Sequence, residues 1–408
     1  MAKVAAEHFF TGTTQKYAAG YDPALTMLGK YIVQQGNPSY AGPLPMTVGR
    51  PMEASTAIAV AYPHAIDVGN NEQWIFLADN STAATTRRIV KYTYNTLEGT
   101  LTWQGFILMT YPSAASHTIR GLRVVRHLYT TGTASASGTA VTGAGGAAWQ
   151  TARIAAGCRI GFGSTDPTAI TTWYHTSAIG SETGMTLVEN VGTVSSGPYV
   201  IEELRVYTVT TAGSSGGLFV AKGVNADDFT PAGITFPLAT TTDNLKAVYW
   251  LADAAGVLNT ASGGIGLGAT VTDTNHDIYV TNADAATTLR IYKYNGRASL
   301  TGLASGKSVS AFVYRTGQQA VNGTISQTNG CRIAVLGHGP GSGISCLYFV
   351  TTTRINRCIE SNITNGATTY ISDSMVEIPS GSVNTFAATS AMTSCEYSGT
   401  TDSLIITN

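Results

Sequence analysis

The stretch Ala83-Ala84-Thr85-Thr86-Arg87-Arg88-Ile89-Val90-Lys91-Tyr92 returns about two hundred residues later as Ala285-Ala286-Thr287-Thr288-Leu289-Arg290-Ile291-Tyr292-Lys293-Tyr294, with eight of the ten positions identical. Each copy follows a short β-type run, Trp74-Ile75-Phe76-Leu77 in the first and Ile278-Tyr279-Val280-Thr281 in the second. A repeat this plain means that one supersecondary unit is used several times, which points to a fold built by radial or linear repetition. Weaker copies start near residues 159, 218, 347 and 404: Arg159-Ile160-Gly161-Phe162, Leu218-Phe219-Val220-Ala221, Leu347-Tyr348-Phe349-Val350 with Arg354-Ile355-Asn356-Arg357, and Leu404-Ile405-Ile406-Thr407. The resulting period of 57 to 84 residues suits a four-stranded sheet with one long loop per unit.

A second run recurs between these hairpins. It reads Leu122-Arg123-Val124-Val125, Leu204-Arg205-Val206-Tyr207 and Leu245-Lys246-Ala247-Val248-Tyr249, with Ile58-Ala59-Val60-Ala61, Val309 to Val313 and Val383 to Phe386 as further copies. The last hairpin copy holds only its first strand. An open rod would leave that strand as a bare edge, whereas a ring completes it with a strand from elsewhere in the chain. The expected fold is therefore all-β, a closed β-propeller of about six blades (five to seven) over residues 55–408, preceded by an extended arm at 1–54. Closure is expected through pairing of Leu404 to Thr407 with a strand from the arm or from residues 50–70. A pair of β-sandwiches is the alternative.

Composition agrees with strands and turns. Glycine supplies 45 of 408 residues. Short runs of Val, Ile, Tyr, Phe and Thr are bounded by turn residues, as in Thr131-Gly132 and Gly143-Ala144-Gly145-Gly146. The arm carries Gly36-Asn37-Pro38 and Gly42-Pro43-Leu44-Pro45, yet its aromatic residues, Phe9, Phe10, Tyr17, Tyr21, Tyr31 and Tyr40, set it apart from a disordered tail. It is expected to lie on the chain's own ring or on a neighbouring subunit.

Charge argues for association. There are 23 Lys plus Arg against 24 Asp plus Glu, and charged residues are 12% of the chain, about half the usual share. A near-neutral surface has little colloidal repulsion and suits a subunit of a permanent assembly. No basic stripe marks a groove that grips nucleic acid through its phosphates. The chain starts Met1-Ala2-Lys3 without a cleavable apolar segment and has no run of eighteen apolar residues, so neither secretion by a signal peptide nor a membrane span is expected.

Candidate chemistry is sparse. The five cysteines (Cys158, Cys331, Cys346, Cys358 and Cys395) form no Cys-x-x-Cys pair and are read as buried thiols in strands. The seven histidines have no metal-ligand spacing. Asp273-Thr274-Asn275-His276-Asp277 alternates oxygen ligands but lacks the glycine and distal glutamate of a calcium loop, so a polar turn is preferred. Gly337-His338-Gly339-Pro340-Gly341-Ser342-Gly343 lacks a Gly-Lys-Ser/Thr ending, and Gly306-Lys307-Ser308 has its upstream Gly302 too close for a phosphate loop. Glu202 and Glu203 are adjacent in a strand and point to opposite faces, which argues against a paired-carboxylate site. Trp74, Trp103, Trp149, Trp173 and Trp250 are assigned to core or inter-blade packing. No catalytic, cofactor-binding or metal-binding residue is assigned, no cofactor is expected, and the chain is expected not to be an enzyme.

The segment Thr118-Ile119-Arg120-Gly121-Leu122-Arg123-Val124-Val125-Arg126-His127, followed by Gly138-Thr139-Ala140-Val141-Thr142-Gly143 closing on Trp149 and by Arg159-Ile160-Gly161-Phe162-Gly163-Ser164-Thr165-Asp166-Pro167, resembles tailed-phage structural proteins. Together with the repeats, it resembles the β-propeller nozzle and hub proteins of short-tailed phage tails. The resemblance implies a virion subunit of the tail, assembled in the host cytoplasm and forming part of the DNA conduit. It implies a cyclic homo-oligomer, with six copies favoured, and contacts to other tail proteins such as an adaptor or fibres. Sequence-specific nucleic-acid binding and membrane contact are not implied. The alternative reading is a receptor- or glycan-binding fibre or capsid-surface protein.

Overall fold

The computed structural model describes residues 60–251 apart from short gaps at 81–84, 113–115, 213–214 and 241–244, and beyond 264 chiefly strand segments and adjoining turns. Two short strands lie in the arm, β1 (Thr26–Leu28) and β2 (Tyr31–Val33), and pair with each other. The expected boundary at residues 54 and 55 falls outside the described residues.

The rest is a succession of similar units. The first is β3 (Val60–Gly69), β4 (Glu72–Asp79), β5 (Thr86–Asn95) and β6 (Thr100–Thr110), an antiparallel meander. Its first turn is Asn70-Asn71, both with left-handed φ (52° and 61°) between the paired Gly69 and Glu72, the geometry that matches the twist of a two-residue hairpin. The second unit opens with β7 (Thr118–Tyr129). The chain then leaves the meander for β8 (Thr133–Ser137), β9 (Ala140–Ala144), β10 (Arg159–Phe162), β11 (Trp173–Ile179), β12 (Gly184–Leu187) and β13 (Thr193–Gly197). It returns as β14 (Tyr199–Thr211), β15 (Gly217–Val224), the short β16 (Ile234–Phe236) and β17 (Ala247–Leu251). The unit itself is β7-β14-β15-β17; β8 to β13 are an insertion between its first and second strands. The third unit contains β18 (Ile265–Ala269), β19 (Asp277–Ala285), β20 (Thr288–Asn295), β21 (Lys307–Ser308), β22 (Phe312–Arg315) and β23 (Gln319–Ala320), with β18-β19-β20-β22 as its meander. The fourth is β24 (Ile333–Gly337), β25 (Ser345–Val350), β26 (Arg354–Ile359) and β27 (Ser372–Glu377). The hairpin β28 (Ala391–Tyr397) and β29 (Thr401–Thr407) follows.

The leading strands adjoin in chain order: β3 lies against β7, β7 against β18, β18 against β24 and β24 against β28. The approach is close at Gly121, where a Cβ would sit 2.6 Å from that of Leu267 in β18. Outer edges are covered by straps. β16, from the second unit, pairs parallel with β6 of the first; β21, from the third, pairs parallel with β17 of the second. Gly105 of β6 admits the first strap, since a Cβ there would lie 2.2 Å from the Thr230 carbonyl carbon. Each strap removes a bare strand edge.

The structure is all-β, and among the described residues it has no α-helix and none long and apolar enough to cross a membrane. Among the described residues no sheet closes on itself. Several expectations are corrected. Among the described residues β28 and β29 form a sheet of their own, and β1, β2 and β3 lie in other sheets, so neither the arm strands nor residues 60–69 share a sheet with Leu404 to Thr407; residues 50–59 lie outside the described ones. The copies near 75, 278, 347 and 404 are second strands of their units, but the one near 218 is a third strand and the one at 159 belongs to the insertion. The second recurring run is not one element: Leu122 lies in a leading strand, Leu204 in a second strand, and Ala247 to Tyr249 in a fourth. Apolar-rich strands look alike in sequence wherever both faces are covered, so composition could not separate first, second and fourth strands.

The same double coverage buries β4 and β19 on both faces. Trp74 to Ala78 are all at most 5% exposed, as are Ile278, Tyr279 and Val280. Trp74, Phe76 and Ala78 enter one core with β7, β14 and β15, while Ile75 and Leu77 enter another with Val90 and Tyr92. The insertion has a separate core around Trp149, Ile160, Met185 and Tyr199.

Candidate functional site

Charges cluster around β14. Every residue from Tyr199 to Thr210 is buried, so Glu202 and Glu203 leave water completely. An ionised carboxylate survives there only when paired and hydrogen-bonded. They point to opposite faces, as strand alternation requires, and each face builds its own network.

Glu202 faces the first unit. Arg126 of β7 donates to its Oε2 at 2.8 Å, and Arg159 of β10 donates to its Oε1 at 2.7 Å. Arg159 reaches on to Asp227 at 3.0 Å and lies 4.4 Å from the ring centroid of Trp173. Trp74 of the first unit presents its ring to Arg126 at 5.1 Å and to the Lys91 ammonium at 4.0 Å, where the negative ring face attracts cations. Lys91 also donates to the Ala226 carbonyl at 3.3 Å. Burial, before any charge effect, pulls its pKa down to about 8. The network surfaces at His175 of β11, whose ring nitrogens meet Glu189 at 2.7 Å and Asp227 at 3.1 Å. The hydrogen bond to Asp227, with Glu189 adding to it, raises His175 to about 9, and the same bond holds Asp227 at about 2.

Glu203 faces the third unit. Arg205 donates to its Oε1 and Arg297, in the turn after β20, donates to its Oε2, both at 2.9 Å. Burial opposes ionisation of Glu203, yet Arg205 and Arg297 together hold it at about 2. Arg297 also donates to the Ala152 carbonyl, and Arg205 to the carbonyls of Gly296 and Arg153. Tyr207 donates to the same Gly296 carbonyl at 2.7 Å. His127 nearby is pushed to about 4, first by burial and then by Arg297, and is neutral at physiological pH.

This arrangement clamps. Both oxygens of each buried glutamate accept from arginine, and Glu203, held at about 2, is a poor proton acceptor at neutral pH. The bonds join the insertion to three units: Arg159 and Asn225, which donates to Gly157 at 2.8 Å, to the second; Ala152 to the third; and the Thr168 carbonyl to Asn70 of the first at 3.4 Å.

Alternation places Glu202 and Glu203 on opposite faces, as the structure has them; their complete burial is the structure's addition. The signal was present: Tyr199-Val200-Ile201-Glu202-Glu203-Leu204-Arg205-Val206-Tyr207 has no polar face, so its charges had to be buried and paired. Asp277, the end of the rejected calcium pattern, forms an ion pair with Lys293 at 2.8 Å; residues 273–276 and 338–343 lie outside the described ones. Among the described residues no three His, Cys, Asp or Glu side chains are grouped to hold a metal. Cys158 is a buried free thiol, raised to about 12 by burial, and Cys346, Cys358 and Cys395 lie in β25, β26 and β28. Trp149 is fully buried and donates to the Tyr199 hydroxyl at 2.9 Å. Trp250 stacks on Phe219, and Trp103 packs beside Tyr92 and Leu101.

The sequence matches no protein-family model and no curated protein. Among solved structures, the phage phi92 endosialidase is similar with a TM-score of 0.28 and 12% identity over 87% of this chain. The aligned part is 41% of that protein's length. An alignment at this score establishes neither a shared fold nor a shared activity.

Proposed function

We propose that the chain is a non-enzymatic structural subunit of a phage virion, in the tail, where it forms part of a nozzle or hub ring around the DNA path. The observation that carries this reading is the order of the units: successive meanders whose leading strands adjoin in sequence order, as in the blades of a propeller. Among the described residues there are four meanders and the β28–β29 hairpin, and on this reading they are blades of one ring. Straps over outer edges and ion networks between units make such a body stiff. Stiffness and scant charge suit a permanent ring, because a near-neutral lining does not bind passing phosphate. On this reading the arm at 1–54 grips a neighbouring copy in a cyclic homo-oligomer of about six, and other tail proteins cover one face.

The test is particle assembly. The purified chain should form rings by native mass spectrometry, and particles carrying it should show density for it at the tail. Removal of residues 1–45 should leave the fold intact and block incorporation. Normal incorporation of that truncation, or a monomer that binds host glycans, would replace this reading with a receptor-binding one. Hydrolase activity lost on a single Asp or Glu substitution would replace it with an enzyme.

A further inference from the structure

We propose that Glu202 and Glu203 form a registry device that fixes which repeated unit packs on each face of β14. The two flanking units are the ones that share the repeated stretch, eight of ten positions over Ala83 to Tyr92 and Ala285 to Tyr294. Hairpins that share a strand can dock in each other's place, within a chain or between copies, and misassembly of this kind is a characteristic failure of repeat proteins. Apolar contacts alone discriminate weakly between such hairpins; buried charge discriminates strongly, because a lost partner leaves an uncompensated ion.

The contacts to β14 fall where the two hairpins differ. The Glu202 network rests on Trp74; the position two residues before the partner of the repeated lysine holds Trp74 in the first unit and Asp277 in the third. The Glu203 network takes Arg297, which follows Asn295 by two residues; the same turn in the first unit has Leu97 after Asn95. Leu97 is 78% exposed and Arg297 is 4% exposed. A first unit docked on the Glu203 face would bring Leu97 to a buried carboxylate and leave the Ala152 carbonyl without Arg297. A third unit docked on the Glu202 face would remove the ring beneath Arg126. Glu202-Glu203 is also the sole Glu-Glu pair in the sequence. The insertion seals the choice, since Arg159 and Ala152 bond to opposite networks.

The experiment compares refolding products. In the full chain, the triple variant Glu203→Met, Arg205→Leu, Arg297→Leu replaces the network by apolar groups of similar size. Unfolded in denaturant and diluted at several protein concentrations, it should give a larger share of oversized, swapped species than the natural sequence. Hydrogen exchange should locate the lost protection at residues 150–160 and 296–297. The milder Glu203→Gln should do the same to a lesser extent. Phe76→Leu, matched for loss of melting temperature, should refold to the native size. Identical product distributions for Glu203→Gln, Phe76→Leu and the natural sequence would overturn the proposal and leave the networks a role in stability alone.

Discussion

The hairpin β4–β5 of the first unit and the hairpin β19–β20 of the third share most of their second strand and almost none of its surroundings. In the first, Arg88 pairs with Asp79 across the ladder at 2.7 Å; in the third, the residue across from Arg290 is Asn282. Lys91 lies on the Trp74 ring, whereas Lys293 pairs with Asp277 at 2.8 Å. The turn after each is built alike: the Asn95 side chain accepts from the Leu97 amide and that of Asn295 from the Arg297 amide, both at 2.9 Å. Beyond that turn the roles part, one residue open to water and the other buried in an ion network. A repeated sequence thus fixes backbone, register and turn, while each copy's neighbours decide what its polar groups do.

The largest effects should come from what the copies share. Phe76 and Tyr279 face Lys91 and Lys293 in equivalent registers, and each is fully buried. Phe76→Ala and Tyr279→Ala should each cost about 3–5 kcal/mol in denaturant unfolding, and a gap of several kcal/mol between them would break the equivalence. Arg297→Leu, which installs the first copy's residue, should cost about 3 kcal/mol by leaving Glu203 with one arginine. Retention of full stability would show that the network is replaceable at that end.

Lys91 is a buried base whose pKa falls to about 8, so the unfolded chain holds its proton more tightly. Stability should therefore rise as pH climbs from about 8 toward the ordinary lysine range, and Lys91→Met should abolish that rise with a change of under about 1.5 kcal/mol at pH 7. His175 has the opposite sign. Its pKa is raised to about 9, so its contribution is complete below the ordinary histidine range and is lost as pH rises through about 9. Because the ring is partly exposed, His175→Ala should cost no more than about 1 kcal/mol at neutral pH. Melting curves of the two variants against pH should separate the opposing slopes; parallel curves would show that neither group titrates as assigned. The smallest effect belongs to Leu97→Arg, the reciprocal of Arg297→Leu. It should stay within about 0.5 kcal/mol, since the side chain is exposed. A larger change would mean that the first copy's turn also touches a neighbour.

The sequence alone determined the all-β class, the repeat and the separation of Glu202 from Glu203. These follow from local rules: glycine and asparagine at turns, strand formers between them, and a side-chain period of two. It did not determine strand order within a unit. Leu122, Leu204 and Ala247 sit in similar apolar runs because all three strands are covered on both faces, and identical burial writes identical patterns. Nor did it reveal that residues 133–197 interrupt a unit, since an insertion that forms strands looks like more repeat. Only the tertiary structure brought Arg126, Arg159 and Trp74 to one side of β14 and Arg205 and Arg297 to the other. The arginines among those partners come from as far as 94 residues along the chain, and pairing over such distances is chosen by the packing of whole units, which no local pattern encodes.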